Sequence, residues 1–195
     1  MSHGRFNNPV VAAWAGFYDL FRKQELTDNL KDDDHFDGKT CLVTGVNSGL
    51  GYAIAAEMAR RGASMIGTCR RLHDETREKI RQQSGSDEVD IRDLDLSKLD
   101  SIHNFVEGLD RDGIKPDVVV FNAGLALPGS RKTDTGQDEM FMVNYLANVM
   151  LCTLMLNRGI ISRRNSEKPF RPRLIFISSD SHQGSSFIDY DEFGK

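Results

Sequence analysis

A turn with three glycines, Thr44-Gly45-Val46-Asn47-Ser48-Gly49-Leu50-Gly51, stands between a short apolar run, Cys41-Leu42-Val43, and an alanine-rich stretch from Tyr52 to Arg61. The run reads as a strand and the stretch as a helix. A strand, a glycine turn and a helix in that order present bare backbone N–H groups to a pyrophosphate, and the helix N-terminus adds a partial positive charge. In this reading Gly45 allows the tight turn, Gly49 lets the ligand backbone come close, and Gly51 lets the helix pack against the strand. The spacing G-x-x-x-G-x-G makes the loop one of the longer variants. Glycines alone carry little weight, but here the required context lies on both sides. The plainer reading of the same residues is a strand–helix turn with no ligand.

From Gly38 onward, apolar runs alternate with helical patterns. Strands are expected over 41–44, 65–69, 89–94, 118–121 and 174–177. Helices are expected over 50–61, stopped by Gly62, over 72–83, over 97–110 and over 137–156. Ser97-Lys98-Leu99-Asp100 has the form of a capping box with Asp in place of Glu. Such alternation predicts parallel βαβ units with helices on both faces of one sheet. The fold class expected is therefore α/β, a Rossmann-like three-layer αβα sandwich with a parallel sheet, incomplete at its C-terminal side.

The 195 residues suffice for one domain with appendages. A net charge of −4 gives no general pull toward nucleic acid or an anionic membrane. Cys41, Cys69 and Cys152 are widely spaced in apolar contexts, which argues against a disulfide framework or a metal site and for a reducing compartment. No run approaches the roughly 18 apolar residues needed to span a bilayer. Residues 1–36 read as an extension. Within it Val10, Trp14, Phe17 and Phe21 repeat at helical spacing. The stripe they form either packs on this domain or a partner subunit, or attaches at a membrane surface, where Trp and Tyr are at home. The acidic stretch from Asp28 to Asp37 then serves as a solvated linker.

An acidic residue for the ribose hydroxyls of NAD belongs about 20 residues after the glycine loop. The chain has Gly67-Thr68-Cys69-Arg70-Arg71 there, two arginines and no acid. Guanidinium groups at that place suit the 2′-phosphate of NADP; otherwise Arg70 and Arg71 merely begin a surface helix. Asp95 ends the third strand, where it faces the ligand crevice or serves as a helix-entry residue. Asn122-Ala123-Gly124 ends the fourth strand with small residues that let backbone approach a cofactor. Asn144 falls inside an apolar helix, where an asparagine is costly to bury without a partner. Ser178 and Ser179 follow the fifth strand, and a hydroxyl there can donate to a carbonyl oxygen.

The order of these features resembles the short-chain dehydrogenase/reductase family, in particular its retinol-dehydrogenase-like branch. Thr44 to Gly51 matches the family's T-G-x-x-x-G-x-G loop, and Asn122 to Gly124 its N-A-G, with Phe121 in place of the preceding Asn. Thr68-Cys69-Arg70-Arg71 and Thr133-Asp134-Thr135-Gly136 are similar to that branch, and the resemblance covers roughly residues 37 to 190. It implies a cofactor site made by Thr44, Gly45, Asn47, Ser48, Gly49, Leu50, Gly51, Arg70, Arg71, Asp95, Leu96, Asn122, Ala123 and Gly124. Asp95 would contact adenine, Ser179 would be the catalytic serine, and Asn144 would order a water in a proton relay. The family's Tyr-x-x-x-Lys pair is missing, since Tyr190 and Lys195 are five apart and lie in a loop-like stretch.

Two readings follow. In one the chain is an NADP-dependent oxidoreductase, truncated here, that moves a hydride between nicotinamide and an apolar carbonyl or alcohol. These residues alone then bind cofactor but turn over poorly. In the other it is a non-catalytic short form that binds a dinucleotide or a protein. Under the first reading residues 1–36 are an N-terminal extension and residues 37–195 a partial NADP-binding domain. A homo-oligomer, a cytoplasmic location and membrane-surface contact through residues 9–21 accompany it; nucleic acid and metal do not.

Overall fold

The computed structural model describes residues 31, 33–161 and 171–179. The expected N-terminal helix, residues 162–170, and Tyr190 with Lys195 lie outside them. Of the described residues, Asp34–Ile177 form one compact unit, and Lys31, Asp33, Ser178 and Ser179 belong to a second.

The larger unit alternates strand and helix. Its elements are β1 (Thr40–Thr44), α1 (Gly49–Arg60), β2 (Ser64–Cys69), α2 (His73–Ser84), β3 (Val89–Asp93), α3 (Leu99–Arg111) and β4 (Val118–Phe121). A short α4 (Glu139–Phe141), a π-helical turn (Met142–Leu146), α5 (Ala147–Asn157) and β5 (Arg173–Phe176) complete it. The five strands form one parallel sheet in the order β3-β2-β1-β4-β5.

Strand residues alternate between two cores because successive side chains point to opposite faces. Cys41 and Val43 of β1, with Val118 and Val120 of β4, meet Ala55, Ala56 and Ala59 of α1 and Ile80 of α2. Leu42, Val119 and Phe121 face the other way, onto Phe105 and Leu109 of α3 and Leu151 and Met155 of α5. Both faces of the sheet are covered, the arrangement that continuous apolar strands require. The alanine stripe of α1 lets that helix lie close to the sheet. The three-layer, Rossmann-like expectation therefore holds. At the outer edge, β5 is thinly covered: Ile175 and Phe176 are exposed, although the Phe176 ring stacks on Phe121 with centroids 4.4 Å apart.

Three local expectations need correction. The capping box before α3 does not form. Lys98 is the cap residue and makes no side-chain bond, because the Ser97 hydroxyl donates to Asp95 Oδ1 at 2.7 Å instead. The long apolar helix is not continuous but is widened by the π-helical turn, a device that often marks a functional site. And Glu139–Asn157 is long and apolar enough to cross a membrane by length and composition, with a mean hydropathy of 1.4. Its Met142, Ala147, Leu151 and Met155 are nevertheless core residues.

On α1, the side chains of Arg60 and Arg61 both bond to Glu57, and hold its carboxyl down at about 2, Arg60 contributing most. A depressed carboxylate stabilises the fold above its ordinary value of 4.5, and that contribution drains away as the pH falls toward 2. With Glu57 37% exposed, screening limits it to about 1 kcal/mol. The variant Glu57→Gln should lose that much at pH 7 and should depend less steeply on pH between 4.5 and 2, as read from urea midpoints. Parallel pH profiles for the two proteins would contradict the assignment.

Candidate functional site

The carboxyl ends of β1 to β4 open on one cleft of about 420 Å3, the place where open α/β sheets take their ligands. Its floor is the glycine loop. After β1, Gly45 turns with φ 74°, and the N–H groups of Gly45 and Val46 donate to Thr68 O at 2.9 and 3.0 Å, which ties the loop to the end of β2. Gly49 has φ 59° and open space where a side chain would be. Gly51 has none: a Cβ there would lie 2.2 Å from Gly45 O and 2.4 Å from Asn122 Nδ2. Its hydrogen is thus needed for the loop to close on itself and on β4, rather than for packing of the helix on β1. Asn47, Ser48, Leu50 and Gly51 line the cleft above. Ser48 caps α1 without a side-chain bond, and the first-turn N–H groups of a helix have no partner within it.

A polar clamp behind the floor joins β1 to β4. Thr44 is fully buried and does not line the cleft. Its Oγ1 accepts from the N–H groups of Asn122 and Ala123, both at 3.0 Å. In return Asn122 Nδ2 donates to Thr44 O at 3.0 Å. Thr44 and Asn122 thereby set the spacing between loop and strand, while Ala123 and Gly124 remain on the cleft wall.

The side walls carry the charge. Arg70 and Arg71 are exposed on the lip after β2, opposite Leu94, Asp95 and Leu96 after β3. Asp95 Oδ1 accepts from the N–H of Ser97 at 3.0 Å as well as from its hydroxyl, so the residue is both a turn former and a wall residue. Burial pushes the Cys69 thiol up, and it stays protonated to donate to Arg71 O at 3.0 Å. Glu139 is held below the usual carboxylate range first by hydrogen bonds from Arg131, with the Arg70 charge adding to the effect. Neither the Arg131–Glu139 pair nor its electrostatic reach to Arg70 was visible in the sequence, because the two partners stand eight residues apart across a turn.

Asn144 has the partner expected of it but is exposed, not buried. Its side chain accepts from Leu125 N and donates to Leu125 O, both at 2.8 Å, and so clips the irregular segment after β4 to the π-helical turn. The buried asparagine is Asn148, one turn on, whose Nδ2 donates to Asn144 O at 3.1 Å. Neither asparagine lines the cleft. Ser178 and Ser179 directly follow Ile177, whose N–H donates to Phe121 O at 2.9 Å. The serines belong to the other compact unit, and their relation to the cleft is one of chain order alone.

Residues 39–187 match the family model of the short chain dehydrogenases. The chain is 37% identical over 170 residues to retinol dehydrogenase 14 of Homo sapiens, covering 80% of this chain and 48% of the relative. It is 32% identical over 157 residues to retinol dehydrogenase 13 of Homo sapiens, covering 80% and 45%. It spans about half the length of these curated relatives. Among solved structures, a metagenomic short-chain oxidoreductase in complex with NADP is similar, with 28% identity and a TM-score of 0.59 over 74% of this chain and 63% of that one.

Proposed function

Because the chain belongs to the short-chain dehydrogenase family, whose members bind a nicotinamide dinucleotide, we propose that its cleft takes NADP in preference to NAD. The observation that carries this reading is the arginine pair, Arg70 and Arg71, on the lip where NAD-binding loops carry an acid. The residues present fit the group. The glycine loop offers backbone donors with no side chain above Gly49, and the guanidinium groups offer charge-assisted bonds to a 2′-phosphate. Asp95 and Leu96 stand at the adenosine end, and Ala123 and Gly124 along the wall.

When bound, such a cofactor exchanges a hydride with a carbonyl or alcohol carbon. This chain's residues would supply position and polarity. Ser179 would donate its hydroxyl hydrogen bond to the substrate oxygen, stabilising charge that develops there. Asn144 holds Leu125, a residue of the cleft wall, and would order a water for proton exchange, the role the resemblance implies. An apolar alcohol or aldehyde is the substrate class, in line with the names of the retinol dehydrogenases. The Tyr-x-x-x-Lys spacing does not occur in the 195 residues, and general acid–base help is worth about 10²–10⁴-fold, so these residues alone would bind cofactor and turn over poorly. Residues 37–195 would act as the cofactor-binding domain and residues 1–36 as an attachment, at a membrane surface or on a second copy.

Titration with NADPH and NADH, alongside Arg70→Ala, tests the reading. NADPH should bind more tightly than NADH, and the substitution should weaken NADPH by about 10- to 100-fold, the value of a hydrogen bond between charged groups, while leaving NADH nearly unchanged. Equal binding of both cofactors would remove the 2′-phosphate from the account. No binding of either would overturn the dinucleotide site.

A further inference from the structure

Asn148 is 7% exposed, and its Oδ1 is buried with no hydrogen-bond partner among the described residues. Buried polar atoms in native folds are nearly always paired, so an orphan needs a reason. An apolar side chain on α5, where Ala147 and Leu151 are core residues, would leave none. Nor can the amide relieve itself by turning over. Its Nδ2 donates to Asn144 O at 3.1 Å and to Val143 O at 3.4 Å, and a turned amide would set its oxygen against those two carbonyl oxygens.

The work of the nitrogen accounts for the orphan oxygen. In the π-helical turn the Ala147 N–H reaches back five residues, to Met142 O, whereas α-helical bonds such as those of α5 reach back four. Where a helix returns from five to four, its N–H groups pass over one carbonyl. The next carbonyls along are those of Val143 and Asn144, the two that Asn148 Nδ2 meets. The side chain supplies the donor that the backbone lacks, and so holds the turn in its wide form.

Asn144 stands on this support. Its two bonds to Leu125 are exposed, where water competes for both groups. A clip of that kind is effective when the backbone beneath it is already fixed. Leu125 in turn lines the cleft. We propose that Asn148 is a positioning residue: from inside the core it pins the π-helical turn, which keeps the Asn144 side chain on Leu125 and the cleft wall in place for the cofactor. The step from Leu125 to the cofactor rests on the dinucleotide reading above; the step from Asn148 to Leu125 does not.

Asn148→Ala and Asn148→Ser form a matched pair. Both remove the orphan oxygen and leave nearly the same space, but serine keeps a hydroxyl that can donate to the carbonyl four residues back, Asn144 O. Alanine is the better helix former, so a merely structural role predicts that it does at least as well as serine in every measurement. Exchange of the Leu125 amide hydrogen, followed by NMR without ligand, should be about tenfold faster in the alanine variant, the value of one lost hydrogen bond. In the serine variant it should stay within about threefold of the unaltered chain. Titrations with NADPH and NADH should show the same order. Alanine should weaken both by one factor, about three- to tenfold, and serine by less than about twofold. Unchanged Leu125 exchange in the alanine variant overturns the proposal. Equal acceleration in the two variants also overturns it, because bulk rather than the donor would then matter. Faster exchange with full cofactor affinity does so too, since the clip would then have no bearing on the cleft. If the unaltered chain binds neither dinucleotide, the dinucleotide reading falls, and the exchange rates alone decide whether Asn148 positions Leu125.

Discussion

Gly51→Ala is expected to abolish dinucleotide binding and to destabilise the fold by about 3 kcal/mol, the cost of forcing extra volume into a closed backbone. A Cβ would lie 2.2 Å from Gly45 O and 2.4 Å from Asn122 Nδ2. Gly45 O is backbone, and moving Asn122 Nδ2 aside breaks its bond to Thr44 O. Gly45 is itself close to Ala123, since a Cβ added to it would lie 3.0 Å from Ala123. A thermal melt and an NADPH titration together read the effect. For the thermal melt, Gly49→Ala is the matched control. Its Cβ would meet nothing within 4 Å, so only the strain of φ 59° remains, at roughly 1–2 kcal/mol. If Gly51→Ala melted with the unaltered chain, the crowding at the loop would have to be wrong.

The second large effect is expected at Thr44. Thr44→Val keeps the shape but removes the oxygen that receives the N–H groups of Asn122 and Ala123. Two donors behind the cleft floor then lose their acceptor, at about 1–3 kcal/mol each, so a loss of about 3 kcal/mol in urea unfolding is expected. Thr44→Ser restores the acceptor and should recover most of it. A valine variant as stable as threonine would mean that water reaches these donors, and that the clamp does not hold β1 to β4.

Much of this was legible in the chain because strand periodicity and glycine loops are local signals. Cys41 to Thr44, Met65 to Cys69 and Val118 to Phe121 are short apolar runs bounded by breakers, and each is a strand. What the sequence hid depends on contacts between distant residues. Thr44 matches a ligand-binding motif by position, yet its hydroxyl works on residues 78 and 79 positions away. The helix expected over 137–156 could not show its π-helical turn, since the register shift leaves no mark in apolar spacing; the clip from Asn144 to Leu125 goes with it. The capping box failed because Asp95 competes for Ser97. Leu72, which precedes α2 with φ 63°, hid for a different reason: propensity does not put a leucine in a left-handed turn.

The order in which the sheet can be built has a bearing on when the cleft exists at all. β1, β2 and β3 are consecutive in the chain and adjacent in the sheet, so they can pair as soon as about the first half of the chain has been synthesised. The glycine loop would already be present in that half-sheet, but open, because its clamp to Asn122 is supplied 78 residues later. Contacts so far apart in sequence close late and set the pace of folding. On the dinucleotide reading, cofactor capture would therefore mark the arrival of β4, and a ligand that recognises only the finished cleft would draw the population toward the completed sheet. A nascent chain stalled before β4 should be protease-sensitive at the loop whatever the cofactor concentration, and one stalled after it should be protected in proportion to the ligand.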